Sequence, residues 1–302
     1  MMEAVKVRVP ATSANLGPGF DCLGIALNLY NRLEAHEDDR LRVEVEGDGA
    51  EYIPADDSNL TVQALRRVYD VAGRPYRGFF LRQINGIPLS RGLGSSAAAI
   101  VGGVLAANAL LGSPLDKQEL LRIACAIEGH PDNVTPCLFG GLTASALDGG
   151  RVHFVRTLPA PRLSFAAMVP EFDLPTKKAR QALPECYVKA DAVHNVGRAV
   201  LMYAALEQGI GYVLKAAGDD RLHQPYRKSL IPGWDDVNAA ACDAGALTVF
   251  LSGAGPTVMA VYEKQDEDFI HRLEERLGGM EYRWKALRLE CCQEGASVKR
   301  GG

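Results

Sequence analysis

The sequence PLSRGLGSSAAAIVGG, at residues 88–103, joins a glycine-rich turn to the start of an alanine-rich helix. Gly92 and Gly94 allow the backbone to turn tightly and to bring its N–H groups close to a ligand. Ser95 and Ser96 lie where the helix begins, and a helix start offers unpaired N–H groups and a positive dipole end, which favour phosphate. The sequence therefore predicts a phosphate-binding loop, whose serine hydroxyls donate to phosphate oxygens or complete a magnesium shell.

Other readings of the glycine-rich run fit it less well. A Walker A loop requires a lysine, and this loop has none. GLGSSA at 92–97 does match the dinucleotide fingerprint G-x-G-x-x-[GA]. That fingerprint needs a strand running straight into its first glycine and an acidic residue about 20 positions later. In this chain Pro88 and a turn intervene, and the acid nearest that offset, Asp116, opens a helix. A plain glycine turn with a serine cap remains an alternative.

Composition indicates a globular chain with a substantial core, since 47% of the residues are hydrophobic and 23% are charged. The formal net charge of -4 argues against nucleic acid as the main partner. The seven cysteines, an odd number without a C-x-x-C pair, favour reduced thiols over a zinc site or a disulfide framework. The first residues, MMEAVKVRVP, lack the apolar stretch of a secretory signal, so we expect a cytoplasmic protein.

Residues 92–115 carry no charge and raise the question of a membrane span. A membrane-spanning helix needs about 20 strongly apolar residues. Glycines, serines and Asn108 interrupt this stretch. We therefore expect a buried helix of a water-soluble protein and no membrane partner.

Hydrophobic periodicity predicts mixed strands and helices in the first half of the chain. The alternation of Val5, Val7 and Val9 predicts a strand that ends at Pro10, followed by the loop ATSANLGPGFDCLG. The other predicted elements are strands at 41–45, 78–84, 142–147 and 152–158 and helices at 59–69, 94–111 and 116–127. The last of these helices opens with a capping-box pattern. Pro159-Ala160-Pro161 predicts a domain boundary.

The second half has its own order of elements. Strands are predicted at 163–169, 246–251, 257–262 and 284–290, and helices at 176–183, 191–208, 235–244 and 265–277. With the additional helices set aside, the order is β-α-β-β-α-β. This order is typical of the split βαβ, ferredoxin-like fold.

Four segments together resemble one protein family, the GHMP small-molecule kinases. They are VPATSANLGPGFDCLGIAL at 9–27, PLSRGLGSSAA at 88–98, EGHPDNVTPCLFGG at 128–141 and LSGAGPTVMA at 251–260. Their order is that of the family, and their details resemble its homoserine kinase branch. The resemblance implies an α+β fold of GHMP kinase architecture. Its N-terminal domain, at 1–160, is like domain 2 of ribosomal protein S5, and its C-terminal domain, at 161–302, is ferredoxin-like.

The resemblance also implies an activity. ATP, with Mg²⁺, would phosphorylate the side-chain hydroxyl of L-homoserine in threonine biosynthesis. Family members are often homodimers, so a homodimer is possible for this chain. Another GHMP kinase, acting on a sugar, polyol or isoprenoid precursor, is the alternative, followed by a binding protein of the same fold without catalysis.

Site residues follow from matching these motifs residue by residue. A zwitterionic substrate calls for a carboxylate at its ammonium and arginines at its carboxylate. Asp21 matches the family residue at the amino group, and Asn133 matches the one near the reactive hydroxyl. The substrate-binding set is Asn15, Asp21, His130, Thr176, Arg180, Arg227 and Gly253, and the catalytic set is Asn133 and Ser96. No catalytic base is assigned, because phosphoryl transfer depends mostly on alignment and charge stabilisation.

The nucleotide and metal residues follow in the same way. The nucleotide-binding set is Asn59, Leu60, Pro88, Leu89, Ser90, Arg91, Gly92, Leu93, Gly94, Ser95, Ser96, Ala97 and Ala98. The Asn59-Leu60 pair is either the adenine contact or a helix cap. Eight residues before His130, where the family's magnesium glutamate tends to fall, this chain has Arg122, which cannot bind a cation. Ser96 and Glu128 are therefore the predicted metal ligands, with Glu119 in reserve.

Overall fold

The computed structural model describes residues 4–300 and contains two sheets with helices packed on them. The elements up to residue 157 are β1 (Val5–Ala14), β2 (Leu23–Asp38), β3 (Arg42–Gly47), α1 (Leu60–Val71), β4 (Gly78–Asn85), α2 (Ser95–Leu110), α3 (Lys117–Glu128), α4 (Pro131–Phe139), β5 (Leu142–Asp148) and β6 (Arg151–Thr157). Those that follow are β7 (Leu163–Pro170), α5 (Thr176–Gln181), α6 (Lys189–Gln208), α7 (Gly211–Ala217), α8 (Gln224–Arg227), α9 (Trp234–Ala244), β8 (Thr248–Leu251), β9 (Val258–Glu263), α10 (Phe269–Leu277), β10 (Trp284–Leu289) and β11 (Ser297–Arg300).

The first sheet has seven strands in the order β11-β1-β2-β4-β3, and β5 and β6 extend it from the side of β2. Only the β3–β4 pair is parallel. In β1, Val5, Val7 and Val9 are buried, whereas Lys6 and Arg8 between them are exposed. This alternation turns one face of the strand toward the core. Helix α2 packs against β1, β2, α1, α3 and α4, which explains why it is apolar on all sides.

The second sheet has the strand order β10-β7-β9-β8, with every neighbouring pair antiparallel. Helices α9 and α10 pack beside it and cover its core. The chain order β7, β8, β9, β10 and this spatial order are those of a ferredoxin-like sheet. The predicted β-α-β-β-α-β arrangement is confirmed.

Some sequence predictions of elements were wrong. Strand β1 does not end at Pro10 but continues to Ala14, because the register with β2 shifts between Pro10 and Ala11. A bulge at that point accommodates a residue that has no N–H to donate. Strands β2 and β11 were not predicted, nor were helices α4, α7 and α8. Helix α10 begins at Phe269, later than the predicted start at residue 265.

The division into domains after residue 160 stays a prediction. The C-terminal strand β11 pairs with β1 rather than with the second sheet. The Cys292 N–H also donates to the Ala26 carbonyl at 2.9 Å. The segment from Cys291 to Arg300 therefore packs on the first sheet, although the predicted boundary assigns it to the second domain. Among residues 4–300, no helix combines the length and the apolarity that crossing a membrane requires.

Candidate active site

A cavity of about 480 Å³ lies where the ends of several elements from both halves of the chain meet. Most of the predicted site residues line it, namely Asn15, Asp21, Asn59, Leu60, Leu89, Ser90, Arg91, Gly92, Gly94, Ser95, Ser96, Ala98, Glu128, His130, Asn133, Thr176, Arg180, Arg227 and Gly253. Pro88, Leu93 and Ala97 do not line it, and the latter two are buried in the core. The motifs singled out in the sequence thus meet at one cavity.

The glycine-rich loop enters α2 through Gly94, whose φ of 72° lies in the left-handed region. A Cβ at this position would lie 2.0 Å from the Thr12 hydroxyl oxygen, so only glycine fits. No side chain caps the helix, and its first backbone hydrogen bond runs from the Ala98 N–H to the Gly94 carbonyl at 2.9 Å. The amides before it have no acceptor within the helix and are available to an anion.

Backbone and side-chain contacts from both halves of the chain fix the loop. The Thr12 N–H donates to the Leu93 carbonyl at 3.1 Å, and the Ser252 hydroxyl donates to the Gly92 carbonyl at 2.6 Å. The Arg91 guanidinium donates to the carbonyls of Leu89, Pro170 and Glu171. The Arg91 side chain therefore anchors the loop to the strand that precedes α5.

Ser96 and Glu128 face each other across the mouth of the cavity. The Ser96 hydroxyl donates to the Glu128 Oε2 at 2.7 Å. Burial raises the pKa of Glu128 above its ordinary value, although Ser96 and His130 act to lower it. Glu119, the reserve choice, is bound to Arg122 at 2.6 Å and lies outside the cavity lining.

A strained turn between β1 and β2 presents Asp21 to the cavity. Asn15 and Asp21 both have positive φ, 68° and 52°. The Asn15 Oδ1 accepts from the Asp21 N–H at 3.0 Å, and its Nδ2 donates to the Gly253 carbonyl at 2.8 Å. The two Asp21 oxygens accept from Arg180, at 2.9 Å from Nη2 and 3.2 Å from Nη1. The result is a bidentate ion pair at the cavity wall.

Arg227 is the largest fully buried side chain in the described part of the molecule, at 1% exposure. Its guanidinium donates to the Gly253 carbonyl at 3.1 Å and the Ala179 carbonyl at 3.3 Å. Its Cζ lies 5.3 Å from the centroid of the Phe20 ring. Burial, reinforced by the neighbouring Arg180, lowers the pKa of Arg227 to about 10, and the group stays charged at neutral pH.

The HPDN segment turns from α3 into α4, with His130 as the residue before the first helical turn. The His130 Nδ1 lies 2.5 Å from the Asp132 Oδ1. Burial is the largest single influence and acts to lower the pKa of His130, but the hydrogen bond to Asp132 together with the negative charges of Asp132 and Glu128 outweighs it, so the net shift is upward. The Asn133 Oδ1 accepts from the Thr12 hydroxyl at 2.7 Å. Thr12 therefore fixes the orientation of the Asn133 amide.

Asp21, His130 and Asp132 form a second group that could hold a cation, since their ligand atoms lie within 4.8 Å of one another. The Asp21 carboxylate is already bound to Arg180, and His130 is bound to Asp132. These existing pairs make the group a weaker candidate than Ser96 and Glu128.

The far end of the cavity is formed by α1 and the inward faces of β2 and β4. Asn59 caps α1, since its Oδ1 accepts from the Thr61 N–H at 2.9 Å, and it also lines the cavity with Leu60. The Gln83 amide donates to the Asn59 Oδ1 at 3.1 Å. The lining residues that sequence reasoning missed at this end are Asn31, Arg32, Leu33, Tyr52, Ile53, Pro54, Ser58, Thr61, Gln83 and Asn85. The polar residues at alternate positions of β4 were an available signal, but their partner strand β2 had not been predicted.

Comparisons with known proteins agree with the geometry. Residues 59–141 match the family model described as GHMP kinases N terminal domain, and residues 201–278 match GHMP kinases C terminal. The chain is 43% identical over 296 residues to a homoserine kinase of Caldicellulosiruptor bescii, which covers 97% of this chain and 96% of that protein. It is 40% identical over 298 residues to a homoserine kinase of Clostridium botulinum strain Alaska E43, covering 98% and 99%. The crystal structure of a homoserine kinase from Cytophaga hutchinsonii superposes with a TM-score of 0.89 at 30% identity, covering 99% and 98% of the two chains.

Proposed function

This chain belongs to the GHMP kinase family and, within it, to the homoserine kinases, and we propose that it phosphorylates the side-chain hydroxyl of L-homoserine with ATP. The products are O-phospho-L-homoserine and ADP, and the reaction serves threonine biosynthesis. One observation carries the proposal most directly. Asp21, Arg180 and Arg227 face the same cavity as the free amides at the start of α2.

The three charged side chains match the two ends of an α-amino acid. The Asp21 carboxylate is the partner for the substrate ammonium, and Arg180 and Arg227 are the partners for its carboxylate. Thr176, the first residue of α5, adds a hydroxyl beside them. Each charged hydrogen bond of this kind contributes about 1.5–3 kcal/mol.

The nucleotide occupies the other part of the cavity. Its phosphates lie against the amides of Gly94, Ser95 and Ser96, where the helix dipole favours negative charge. The adenine lies toward Asn59 and Leu60, beside the buried side-chain amides of Gln83 and Asn85 on β4.

The chemistry is an in-line displacement at the γ-phosphorus. The homoserine hydroxyl oxygen forms the new P–O bond, the bond from the γ-phosphorus to the bridging oxygen of the β-phosphate breaks, and the hydroxyl proton passes to an oxygen of the transferred phosphoryl group and then to water. A loose transition state requires mainly alignment and charge stabilisation. Asn133, held by Thr12, and His130, held by Asp132, position the hydroxyl end of the substrate. Asp132 is 1% exposed and bound to His130, so we assign it no role as a base.

Magnesium fits the pair formed by Ser96 and Glu128. Glu128 is a half-buried carboxylate with a raised pKa that accepts a hydrogen bond from the Ser96 hydroxyl, and a divalent cation at this position would relieve the cost of desolvating its charge. These two residues would hold the ion, which supplies positive charge to the phosphate oxygens when bound.

The proposal is tested by measuring ADP release with L-homoserine, L-threonine, L-serine, mevalonate and galactose as acceptors. We expect the highest kcat/KM for L-homoserine. Turnover of homoserine no faster than the background rate without acceptor would refute the proposal. Preferred turnover of mevalonate or galactose would instead support the alternative of another GHMP kinase activity.

We also propose that the enzyme is a homodimer that associates through helix α6. Val193, Val196, Val200 and Leu201 lie on one face of this helix and are 46–67% exposed. Gly197 lies among them, and a Cβ there would meet nothing within 4 Å. A glycine inside a helix costs about 1 kcal/mol, and close approach of the same helix from a second copy offsets that cost.

Light scattering tests this association. The wild-type chain is expected to be a dimer and Val200→Glu a monomer. The control is Val155→Glu, which alters a similarly exposed valine on β6 and should leave the protein dimeric. A monomeric wild-type protein would rule the dimer out.

We further propose a cytoplasmic location, because all seven cysteines are free thiols and ATP is available in that compartment.

A further inference from the structure

The two side chains assigned to opposite ends of the substrate are bonded to each other. Both terminal nitrogens of Arg180 donate to both carboxylate oxygens of Asp21, at 2.9 and 3.2 Å. The side chains are 39% and 36% exposed, so the pair lies at the cavity surface and not in the core. The hydrogen-bonding fork of Arg180 and the acceptor oxygens of Asp21 are therefore both occupied.

Other polar groups lie near the pair but are already engaged: ligand atoms of His130 and Asp132 lie within 4.8 Å of the Asp21 carboxylate, and these two side chains are bonded to each other. Arg227 donates to two backbone carbonyls and to His223, so its guanidinium is bonded to groups other than Asp21. The Phe20 ring lies beneath both guanidiniums, with its centroid 5.9 Å from the Arg180 Cζ. If Arg180 turned away without a replacement, the Asp21 carboxylate would lose both hydrogen bonds that it accepts from Arg180.

We propose that the Asp21–Arg180 ion pair determines specificity by admitting zwitterions and rejecting alcohols that carry a single charged group. The inference rests on the proposed function and refines it. A zwitterion supplies an ammonium for Asp21 and a carboxylate for Arg180, so one ion pair is exchanged for two. A ligand with only a carboxylate can take Arg180 only by leaving Asp21 without its partner, and a ligand with only an ammonium strands Arg180 in the same way.

Two simple alcohols separate these cases. 4-Hydroxybutyrate is homoserine without the amino group, and 3-aminopropan-1-ol is homoserine without the carboxylate. The dissociation constant of each is measured by competition with L-homoserine, so that turnover of the analogue is not needed. The proteins compared are the wild type, Asp21→Asn and Arg180→Gln.

The proposal predicts a gain of binding in each variant for one analogue. Asp21→Asn frees the fork of Arg180, so 4-hydroxybutyrate should bind about tenfold more tightly than to the wild type, the equivalent of one charged interaction. Arg180→Gln frees Asp21, so 3-aminopropan-1-ol should gain by a similar factor. L-Homoserine should bind more weakly to both variants. Weaker or unchanged binding of both analogues in the variants would overturn the proposal.

A control separates release of the pair from a change in the overall field. Lys178→Gln removes the same unit charge from an exposed position on the same short helix as Arg180. The gain for 3-aminopropan-1-ol should be absent in Lys178→Gln. In Arg180→Gln it should persist in 0.5 M KCl, where charges are screened beyond about 4 Å. If 3-aminopropan-1-ol bound equally more tightly to Lys178→Gln, or if its gain in Arg180→Gln disappeared in salt, the cause would be the overall electrostatic field. The Asp21–Arg180 ion pair would then be excluded as the determinant of specificity.

The outcomes do not overlap with a failure of the proposed function. If the wild-type enzyme does not phosphorylate homoserine, the assignment of the reaction falls. If the wild-type enzyme phosphorylates homoserine but neither analogue binds more tightly to its variant, only the proposed role of the ion pair is refuted. Asp21 and Arg180 are partly exposed, and each is replaced by a neutral polar residue, so the fold should tolerate both changes. Thermal unfolding midpoints verify that each variant is folded.

Discussion

The Nδ1 atom of His223 accepts a hydrogen bond from the Arg227 guanidinium at 3.2 Å. The Nε2 of the same ring lies 2.7 Å from the Gly17 carbonyl and must donate to it. The ring is therefore neutral, with its proton on Nε2. Burial lowers the pKa of His223 and keeps the ring neutral at neutral pH, although the nearby Asp220 acts in the opposite direction. His223 thus orients an arginine that we assign to the substrate carboxylate.

Replacing His223 should weaken homoserine binding selectively. His223→Leu removes the acceptor that holds Arg227 and leaves buried polar groups without partners, which costs about 1–3 kcal/mol. We expect the KM for homoserine to rise about 5- to 150-fold and the KM for ATP to stay within about twofold. His223→Asn, which keeps an acceptor near the position of Nδ1, should recover part of the loss. Equal increases in both KM values would contradict a positioning role.

Gly94→Ala should strongly weaken nucleotide binding through a steric clash. The new Cβ would lie 2.0 Å from the Thr12 hydroxyl oxygen, in a residue whose φ is already left-handed. The loop must move, and we expect kcat/KM for ATP to fall by at least about 100-fold. Isothermal titration with an ATP analogue measures the change.

Gly112→Ala is the matched control for Gly94→Ala. Gly112 has a φ of 82°, and a Cβ there meets nothing within 4 Å. This variant should lose about 1–2 kcal/mol of stability from left-handed strain and keep its activity. Normal ATP binding by Gly94→Ala would mean that the loop is not the phosphate site.

The requirement for magnesium should depend on pH through Glu128. Its pKa lies above the ordinary value, so as the pH falls from 7 toward 5 a proton competes with the cation at a higher pH than for an ordinary carboxylate. The Mg²⁺ concentration for half-maximal rate should therefore rise as the pH falls. Glu128→Gln should need more Mg²⁺ at every pH and should show a weaker pH dependence, the remainder coming from protonation of the nucleotide phosphates.

Glu119→Gln serves as the control for Glu128, because Glu119 is bound to Arg122 outside the cavity. Its Mg²⁺ curves should follow those of the wild type at each pH. If Glu119→Gln shifts them and Glu128→Gln does not, the assignment of the metal ligand is wrong.

The hydroxyl of Thr12 should matter for the rate and not for binding. Thr12→Val keeps the shape of the side chain but removes the donor that fixes the Asn133 amide at 2.7 Å. We expect kcat to fall about 10- to 100-fold, since small errors of alignment are costly in phosphoryl transfer, with little change in either KM. Thr12→Ser retains the hydroxyl and should remain close to the wild-type rate. An unaffected kcat in Thr12→Val would remove Asn133 from the reactive centre.

Local sequence was enough to predict the elements with clear start and stop signals. Helix α2 starts at Ser95 because Gly94 precedes it in a left-handed conformation. Helix α3 is capped by Asp116, whose side chain accepts a hydrogen bond from the Glu119 N–H. The order of the ferredoxin-like strands followed from hydrophobic periodicity alone. The motif residues converge on one cavity because each motif contains a turn at the end of a strand or helix.

The remaining features depend on contacts that are distant in the chain. Strand β2 lacks one alternating pattern along its 16 residues, because residues 23–27 are all buried and buried residues alternate with more exposed ones only from Asn31 onward. Helix α4 follows α3 directly, so a stop signal at Gly129 hid a new start at Pro131. The role of His223 could not be predicted, because its partners Gly17 and Arg227 meet only in the folded chain.

The pairing of β11 with the outer edge of β1 has a consequence for how the molecule assembles. Strand β1 lies near the beginning of the described chain, and its outer neighbour follows the whole second sheet. Until that distant segment returns, the edge of β1 exposes unpaired backbone groups, which invite association with other chains. Such non-local pairing is also slow to form. The first half of the chain therefore cannot complete its own sheet in isolation. Cutting the protein between its halves would leave an aggregation-prone fragment with an unpaired strand edge and not an independently folded domain.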